Sequence, residues 1–185
     1  MLEYIDSEHL YLYDGVIIPS VSTILSKTIF KDKYKGVPNY ILNAKANYGT
    51  QVHKIIEDLE NGKEYEIDNY IIEVSIEQYK QLKNKYNIKV LEQEKMICYK
   101  GLYAGRFDMI ANIENNNCLC DIKTTSQLDE EYLSWQLSMY ELAYGKKFDK
   151  LIAIWLPKKE LGKIVEIKRK SKKQILKLLE EYKNE

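Results

Sequence analysis

The 185-residue chain lacks the features that mark the most common membrane-protein and small-molecule enzyme classes. No N-terminal apolar run is typical of a signal peptide, and no stretch reaches the roughly 20 apolar residues of a membrane span. The sequence also has no glycine-rich phosphate loop, no nucleophile elbow and no helicase motif. We therefore expect no membrane segment, disfavour an enzyme of small molecules, and expect any helicase motor to be a separate protein.

Cysteine is scarce, with three residues: Cys98, Cys118 and Cys120. Cys118 and Cys120 lie two apart on one predicted strand, where their side chains share a face at a fixed separation and cannot readily form a disulfide. The paired C-x-x-C spacing of a zinc site is absent. We expect free thiols and a reducing, cytoplasmic location in a bacterial or phage-infected cell.

Neither sign of charge is in excess, because 28 Lys and Arg residues balance 28 Asp and Glu residues. This balance disfavours a protein that is held on nucleic acid by bulk charge alone. Three lysine-rich stretches, at residues 27–35, 80–89 and 158–173, could still form a local basic groove, or they could be solvated surfaces.

Repeats, low-complexity segments and linkers rich in Pro, Gly or Ser are also absent, which predicts one domain over residues 1–185. Residues 1–37 are predicted to form a hairpin and a short helix, residues 38–86 a helical segment, and residues 87–185 a sheet with helices. The first part contains a hairpin turn at Asp14–Gly15 and a helix capped by Ser20 or Ser22. The second part contains a helix from Pro38 to about Asn61, which Gly49–Thr50 could divide, and a helix over 73–86.

The pattern changes after residue 87 to one that is rich in strands. The predicted elements are, in order, strands over 88–99, 103–113 and 117–123, a helix over 130–144 that ends at Gly145, strands over 151–156 and 163–168, and a last helix after a capping box at Ser171. This order predicts an α/β fold in which α-helices flank a central mixed β-sheet.

Two acids and a lysine stand out on adjacent predicted strands. Asp121 and Lys123 project from one face of their strand, because side chains alternate with a period of two. If that strand pairs with the previous one, Asp108 lies beside Asp121, and two close buried carboxylates are unfavourable unless a cation binds them. Two carboxylates and the backbone carbonyl of Ile122 suit Mg²⁺ or Mn²⁺, and Lys123 would hold the attacking water or a phosphate oxygen. The alternative is a surface Asp–Lys pair at a strand end.

His53 is the second candidate residue. It lies next to the buried stripe of its predicted helix and one turn after Gly49, where the helix can be approached closely. Its imidazole could be a third metal ligand, or it could be a hydrogen-bonded core histidine. Glu57, one turn later, could orient the imidazole or be solvated. The other histidine, His9, has no obvious partner.

Gln136 and Tyr140 lie one turn apart on a largely apolar helix face, where a glutamine needs a hydrogen-bonding partner. The two side chains could contact a phosphate or orient Lys123, or they could belong to an ordinary amphipathic helix. Glu92 and Glu94 precede the hairpin and could assist the site. Strand alternation gives both the same face, so the pattern does not distinguish them.

These elements, in their order, resemble the RecB-like, phage-type exonuclease branch of the PD-(D/E)XK nuclease superfamily. The matching motifs are G-x-x-x-H at Gly49–His53, G-x-x-D at Gly105–Asp108, D-x-K at Asp121–Lys123 and Q-x-x-x-Y at Gln136–Tyr140. Residues 19–25 also resemble the entry segment of phage-type members, so the resemblance covers residues 19–145. It implies a restriction-endonuclease-like fold.

The resemblance implies a Mg²⁺- or Mn²⁺-dependent DNA exonuclease of phage or bacterial recombination, repair or replication, with a recombination or replication protein as a candidate partner. It implies that His53, Asp108 and Asp121 bind the metal and that Lys123 is catalytic. Gln136 and Tyr140 would support the substrate and the site geometry. The alternatives are a structure-specific or nicking endonuclease and a non-catalytic DNA-binding protein that retains the fold.

The sequence departs from the family pattern in two respects. Phe107 stands where the name-giving motif has proline, a difference that many members tolerate. Some relatives hold an iron–sulfur cluster through one upstream cysteine and three near the C-terminus. No cysteine follows Cys120, so we expect no iron–sulfur cluster.

Overall fold

The computed structural model describes residues 1–5, 8 and 10–184, so His9 lies outside the described part of the chain. The elements are, in order, β1 (Leu2–Ile5), β2 (Leu10–Tyr13), β3 (Val16–Ile18), α1 (Val21–Lys27), α2 (Asn39–Glu60), α3 (Tyr70–Lys85), β4 (Lys89–Tyr99), β5 (Tyr103–Ile113), β6 (Asn116–Lys123), α4 (Glu130–Tyr144), β7 (Lys150–Trp155), β8 (Lys163–Glu166) and α5 (Lys172–Lys183). They form a three-stranded sheet in the order β1-β2-β3 and a five-stranded sheet in the order β4-β5-β6-β7-β8.

The five-stranded sheet is mixed. Strands β4, β5 and β6 form an antiparallel meander, β7 runs parallel to β6, and β8 runs antiparallel to β7. Helices α1, α4 and α5 pack against one face, and α2 and α3 pack against the other. The predicted α/β architecture, a central mixed sheet flanked by helices, is confirmed.

Local sequence signals fix several element ends. Strand β5 and helix α4 have the predicted bounds, and Gly145 ends α4 in the left-handed conformation, with φ of 81°. Ser20 is the N-cap of α1, and Ser171 forms the predicted capping box with Gln174. Capping and turn chemistry therefore set the ends of these elements as the sequence predicts.

Helix α2 spans nearly the whole predicted range without a break. It is one continuous helix of 22 residues, and Gly49–Thr50 does not divide it. Val52 and Ile56 are fully buried, and the Tyr48 hydroxyl lies 2.6 Å from Ser75 Oγ on α3. Packing of α2 against α3 thus offsets the roughly 1 kcal/mol that one helical glycine costs.

Side-chain alternation is interrupted in β4 and β5 at two acids, Glu94 and Asp108. Phe107 packs in the core of α1, α4 and α5, whereas Met109, two residues later, packs in the core of α2 and α3. A regular strand would place both on one face. On β4, Glu94 has φ of 48° in the left-handed region, and the register places it opposite Asp108. The two acids thus lie where both strands change face.

Among the described residues, none of the helices has the length and apolar character needed to cross a lipid bilayer. Cys98, Cys118 and Cys120 are free thiols.

Candidate metal centre

Asp108 lies where strands β5 and β6 separate. The ladder between them ends at the pair Met109–Cys120. Beyond it, Oδ2 of Asp108 accepts the Ile122 N–H at 2.6 Å. The carboxylate thus takes the place of a strand carbonyl, which satisfies one backbone donor and fixes the direction of the carboxylate.

His53 reaches the same point from α2. Its Nε2 lies 3.0 Å from the Ile122 carbonyl oxygen, and its Nδ1 lies 3.4 Å from Asp108 Oδ1. A carbonyl oxygen only accepts hydrogen bonds, so Nε2 carries the hydrogen in this contact. Nδ1 therefore faces the Asp108 carboxylate and is the nitrogen that can hold either a proton or a cation.

This contact gives the Ile122 carbonyl a structural role beside the predicted one, which stays a prediction. The sequence predicted this carbonyl as a metal ligand, and in the structure its oxygen accepts the His53 N–H. A backbone carbonyl in this position fixes the tautomer and the ring orientation of a metal-binding histidine.

Glu94 joins His53 and Asp108. One ligand atom of each of the three residues lies within 4.8 Å of the other two. Glu92, in contrast, accepts the Tyr144 hydroxyl at 2.9 Å and pairs with Lys95 on the α4 side of the sheet. The prediction that Glu92 and Glu94 share a face is wrong, because alternation is interrupted at Glu94.

Asp121 and Lys123 form a buried pair on the α4 side of β6. The neighbouring Cys120 and Ile122 pack in the α2–α3 core, so Asp121 projects to the opposite face. Its Oδ2 lies 2.5 Å from Lys123 Nζ, so the ammonium is the ion-pair partner of this carboxylate. Asp121 also lies outside the group of His53, Glu94 and Asp108, so its role as a metal ligand stays a prediction.

Gln136 and Tyr140 contact each other on α4 at this end of the sheet. Nε2 of Gln136 donates to the Tyr140 hydroxyl at 3.2 Å, and both residues are buried. The Tyr140 ring lies against Gly105, where a Cβ would stand 2.4 Å from Cε1 of the ring. The absence of a side chain at Gly105 therefore allows Tyr140 to pack beside Asp108. Oε1 of Gln136 has no hydrogen-bond partner within the described part of the chain.

The acids of the site are crowded. Burial, followed by repulsion from Asp108, raises the pKa of Glu94 to about 7. Burial also raises the pKa of Asp121 to about 6, where repulsion from Asp108 adds to the effect and Lys123 opposes it. Burial is the main cause of both shifts, so a cation that replaces the lost hydration would stabilise the ionised form of each carboxylate.

Protonation of His53 partly offsets the negative charge of these acids. Burial alone would lower the pKa of His53, but attraction to Asp108 outweighs burial and raises it to about 9. In turn, burial would raise the pKa of Asp108, but the charged imidazole holds it below its usual range. Burial would likewise lower the pKa of the Lys123 ammonium, but attraction to Asp121 and Asp108 outweighs burial and raises this pKa.

The residues fit a hard divalent cation. One imidazole nitrogen and two carboxylates converge, and oxygen-rich sets of this kind suit Mg²⁺ and Mn²⁺. Burial and repulsion from Asp108 raise the pKa of Glu94 to about 7, and a cation bound between the two carboxylates would relieve both effects. His53, Glu94 and Asp108 are therefore the residues that would hold the cation, with Asp121 adjacent.

A cavity of about 780 Å³ opens onto this group. His53, Glu94 and Asp108 line one part of it. The rest of the lining comes from α2, from the start of α1, from β5, from Tyr140 on α4 and from the N-terminal sheet (β1–β3). It includes Tyr4, Tyr11, Ser20, Ser22, Glu57 and Arg106. The cavity is within the size range of small-molecule sites.

No family model matches the chain, and no curated protein matches it either. One solved structure with some likeness is described as "Crystal structure of SSO0001". It has a TM-score of 0.40 and 21% sequence identity, over 60% of this chain and 56% of that one. The chain thus spans little more than half the length of that protein.

Proposed function

We propose that this chain is a nuclease that depends on a divalent cation and hydrolyses phosphodiester bonds in DNA, with exonucleolytic cleavage in phage or bacterial recombination, repair or replication as its role. The observation that carries the proposal is the convergence of His53, Glu94 and Asp108 on one cavity. The Asp121–Lys123 pair lies on the adjacent strand.

The three converging side chains would hold Mg²⁺ or Mn²⁺. When bound, such a cation supplies Lewis-acid chemistry, because it polarises a phosphoryl oxygen and lowers the pKa of water. Asp108 is fixed by the Ile122 N–H, and His53 by the Ile122 carbonyl. One peptide segment of β6 thus positions two of the three proposed ligands.

Lys123 supplies the cationic group of the proposed reaction. Its ammonium lies against Asp121, with about a quarter of the side chain exposed. From there it can donate a hydrogen bond to a phosphate oxygen or hold the attacking water. Asp121 and Asp108 both raise its pKa, which keeps it charged at neutral pH. A fixed ammonium stabilises negative charge as it develops on the phosphoryl group.

Gln136 and Tyr140 have a positioning role in the proposed site, because they hold α4 against the strand that carries Asp108. Tyr140 packs on Gly105, three residues before Asp108, and its hydroxyl accepts from Gln136. This packing holds α4 against β5 next to the two acids. The free thiols are consistent with a reducing bacterial or phage-infected cytoplasm.

The direct test uses purified protein and end-labelled single- and double-stranded DNA with Mg²⁺, Mn²⁺ or EDTA. We expect cleavage with either cation and none with EDTA. Mononucleotide products would indicate an exonuclease, and nicked or linearised circles an endonuclease. Binding without cleavage would support the non-catalytic alternative, and intact DNA with both cations would refute the enzyme.

Asp108→Asn is the informative variant, because an amide oxygen can still accept the Ile122 N–H while the negative charge is lost. We expect cleavage to fall at least about 100-fold. Asp149→Asn is the matched control, since Oδ2 of Asp149 also accepts a backbone N–H, from Asn117 at 2.7 Å, but Asp149 does not line the cavity. This control should cut DNA as the wild type does.

A further inference from the structure

Arg106 lines the cavity beside the proposed metal centre and is not one of the proposed metal ligands or catalytic residues. It precedes Asp108 by two residues on β5, and 44% of its side chain is exposed. Its Nε lies 2.9 Å from Glu94 Oε2. Among the described residues that line the cavity, the other lysine or arginine is Lys54, which pairs with Asp58 at 2.8 Å. Arg106 is therefore the cation adjacent to the proposed ligands on the open side of the cavity.

The N-terminal sheet positions Arg106. The guanidinium carbon lies 5.5 Å from the ring centre of Tyr4, and Tyr4 is the register partner of Tyr11, with their ring centres 4.8 Å apart. The chain after this sheet is joined to β5, because the Ala104 N–H donates to the Pro19 carbonyl at 3.0 Å. The small sheet thus forms a wall of the cavity and holds a planar cation against an aromatic ring.

We propose that Arg106 binds a phosphate of the substrate next to the scissile one, and that its ion pair with Glu94 is exchanged when a divalent cation binds Glu94. The inference rests on the proposed nuclease function and assigns the nucleic-acid contact that the function requires. The N-terminal sheet then belongs to the substrate site, with Tyr4 and Tyr11 beside the nucleotide that carries this phosphate.

The exchange follows from the chemistry of the three groups. Glu94 is opposite Asp108 and within the ligand group, so its carboxylate can neutralise either Arg106 or a bound cation. A divalent cation at Glu94 draws the carboxylate charge to itself and repels the nearby guanidinium. The released guanidinium is a planar fork of donors that suits phosphate. A bound cation should therefore tighten the binding of DNA, and bound DNA should tighten the binding of the cation.

The test measures two affinities separately and does not depend on cleavage. DNA binding is followed with a fluorescent single-stranded oligonucleotide that carries phosphorothioate linkages, in the presence of Ca²⁺. Cation binding is measured without DNA by calorimetric titration with Mg²⁺ and with Mn²⁺. The variants are Arg106→Gln, Arg106→Lys, and Lys177→Gln as a surface control on α5, where Lys177 has 78% of its side chain exposed.

In Arg106→Gln we expect the Kd for the oligonucleotide to rise about tenfold or more. The slope of log affinity against log salt should decrease by about 0.7, which is the value for one phosphate contact on a single strand. Cation affinity should stay equal or become tighter, because the variant removes a competitor for Glu94. Arg106→Lys should lose less DNA affinity than Arg106→Gln, and Lys177→Gln should match the wild type in both titrations.

Three results would overturn the inference. Unchanged DNA affinity and salt slope in Arg106→Gln would show that Arg106 contacts no phosphate, while cleavage by the wild type would leave the nuclease function standing. Parallel loss of cation and DNA affinity would show that Arg106 only maintains the site geometry. A wild-type protein that neither binds nor cuts DNA would refute the nuclease function and this inference together.

Discussion

The backbone of Gly105 lies directly against the ring of Tyr140, so that a Cβ at residue 105 would stand 2.4 Å from Cε1 and 3.1 Å from Cδ1. Real side chains do not approach this closely, and Tyr140 is buried, so the ring has little room to move. This contact gives the G-x-x-D spacing a packing reason, since the glycine admits the aromatic ring next to Asp108.

Gly105→Ala should therefore destabilise the protein by about 1–3 kcal/mol, as overpacking of a core does. Chemical denaturation of the purified variant measures the free energy of unfolding. Gly49→Ala is a matched control, because its Cβ would lie 3.6 Å from Thr124 Oγ1, an ordinary contact. In helix α2 this change should stabilise by up to about 1 kcal/mol. Equal stabilities of the two variants would contradict the Tyr140 contact.

Strand alternation fails as a guide at the two acids of β4. It predicts that Glu92 and Glu94 share one face and does not distinguish which of them could belong to the site. In the structure, Glu94 adopts a left-handed φ of 48° that non-glycine residues seldom adopt. The packing of the surrounding strands imposes that conformation, and no local residue pattern predicts it. Residues in such conformations cluster at functional sites.

Local capping and turn residues predict some element ends but not all, since helix α3, capped by Asn69, begins three residues before its predicted start at residue 73. Strand β5 and helix α4 match their predicted bounds, and the left-handed Gly145 ends α4 as predicted. The unbroken α2 was not predictable, because its continuity at Gly49 depends on packing against α3. Strand β1 was also missed as a third strand, because a short edge strand needs its neighbour β2 for its hydrogen bonds.

Glu94→Gln and Glu92→Gln form a pair of variants that separates the two faces of β4. We expect Glu94→Gln to weaken Mg²⁺ and Mn²⁺ binding about tenfold or more, because a carboxylate ligand becomes a neutral amide. Glu92→Gln should leave cation affinity unchanged, since Glu92 contacts Tyr144 and Lys95 on the opposite face. Calorimetric titration without DNA measures both values, and a loss in Glu92→Gln alone would contradict the assignment.

Lys123→Met should abolish cleavage and also destabilise the protein. Removal of the ammonium leaves the Asp121 carboxylate buried without its cation, a change that typically costs about 3–5 kcal/mol. The double variant Lys123→Met with Asp121→Asn removes the charge as well and should recover much of that stability. Cleavage should stay absent in the double variant, because it still lacks the Lys123 ammonium and has also lost the Asp121 carboxylate, a predicted metal ligand.

Stability and cleavage therefore have to be measured on both variants of the Asp121–Lys123 pair. Denaturation midpoints and DNA-cutting rates under one set of conditions are sufficient. Recovery of cleavage together with stability would mean that Lys123 serves the fold alone. A Lys123→Met variant as stable as the wild type would show that Asp121 is not held as a buried ion.

Cation binding should become more stabilising as pH rises. In the metal-free protein the raised pKa of His53, about 9, contributes stability that is complete below about pH 6.5 and is lost as pH rises through about 9. The raised pKa of Glu94, about 7, has the same sign, and its contribution is lost between about pH 4.5 and 7. A divalent cation must displace both protons, so we expect the Mg²⁺-induced increase in Tm to be larger at about pH 9 than at about pH 6.

Glu94→Gln tests the origin of this dependence, because the variant has no titrating group at residue 94. Its Mg²⁺-induced increase in Tm should be smaller, and it should rise mainly between about pH 7 and 9, where His53 still titrates. The Tm is followed by circular dichroism with Mg²⁺ and with EDTA in buffers of constant ionic strength. A Mg²⁺-induced shift that is independent of pH in the wild type would mean that neither His53 nor Glu94 gives up a proton to the cation, and it would remove both from the proposed ligand set.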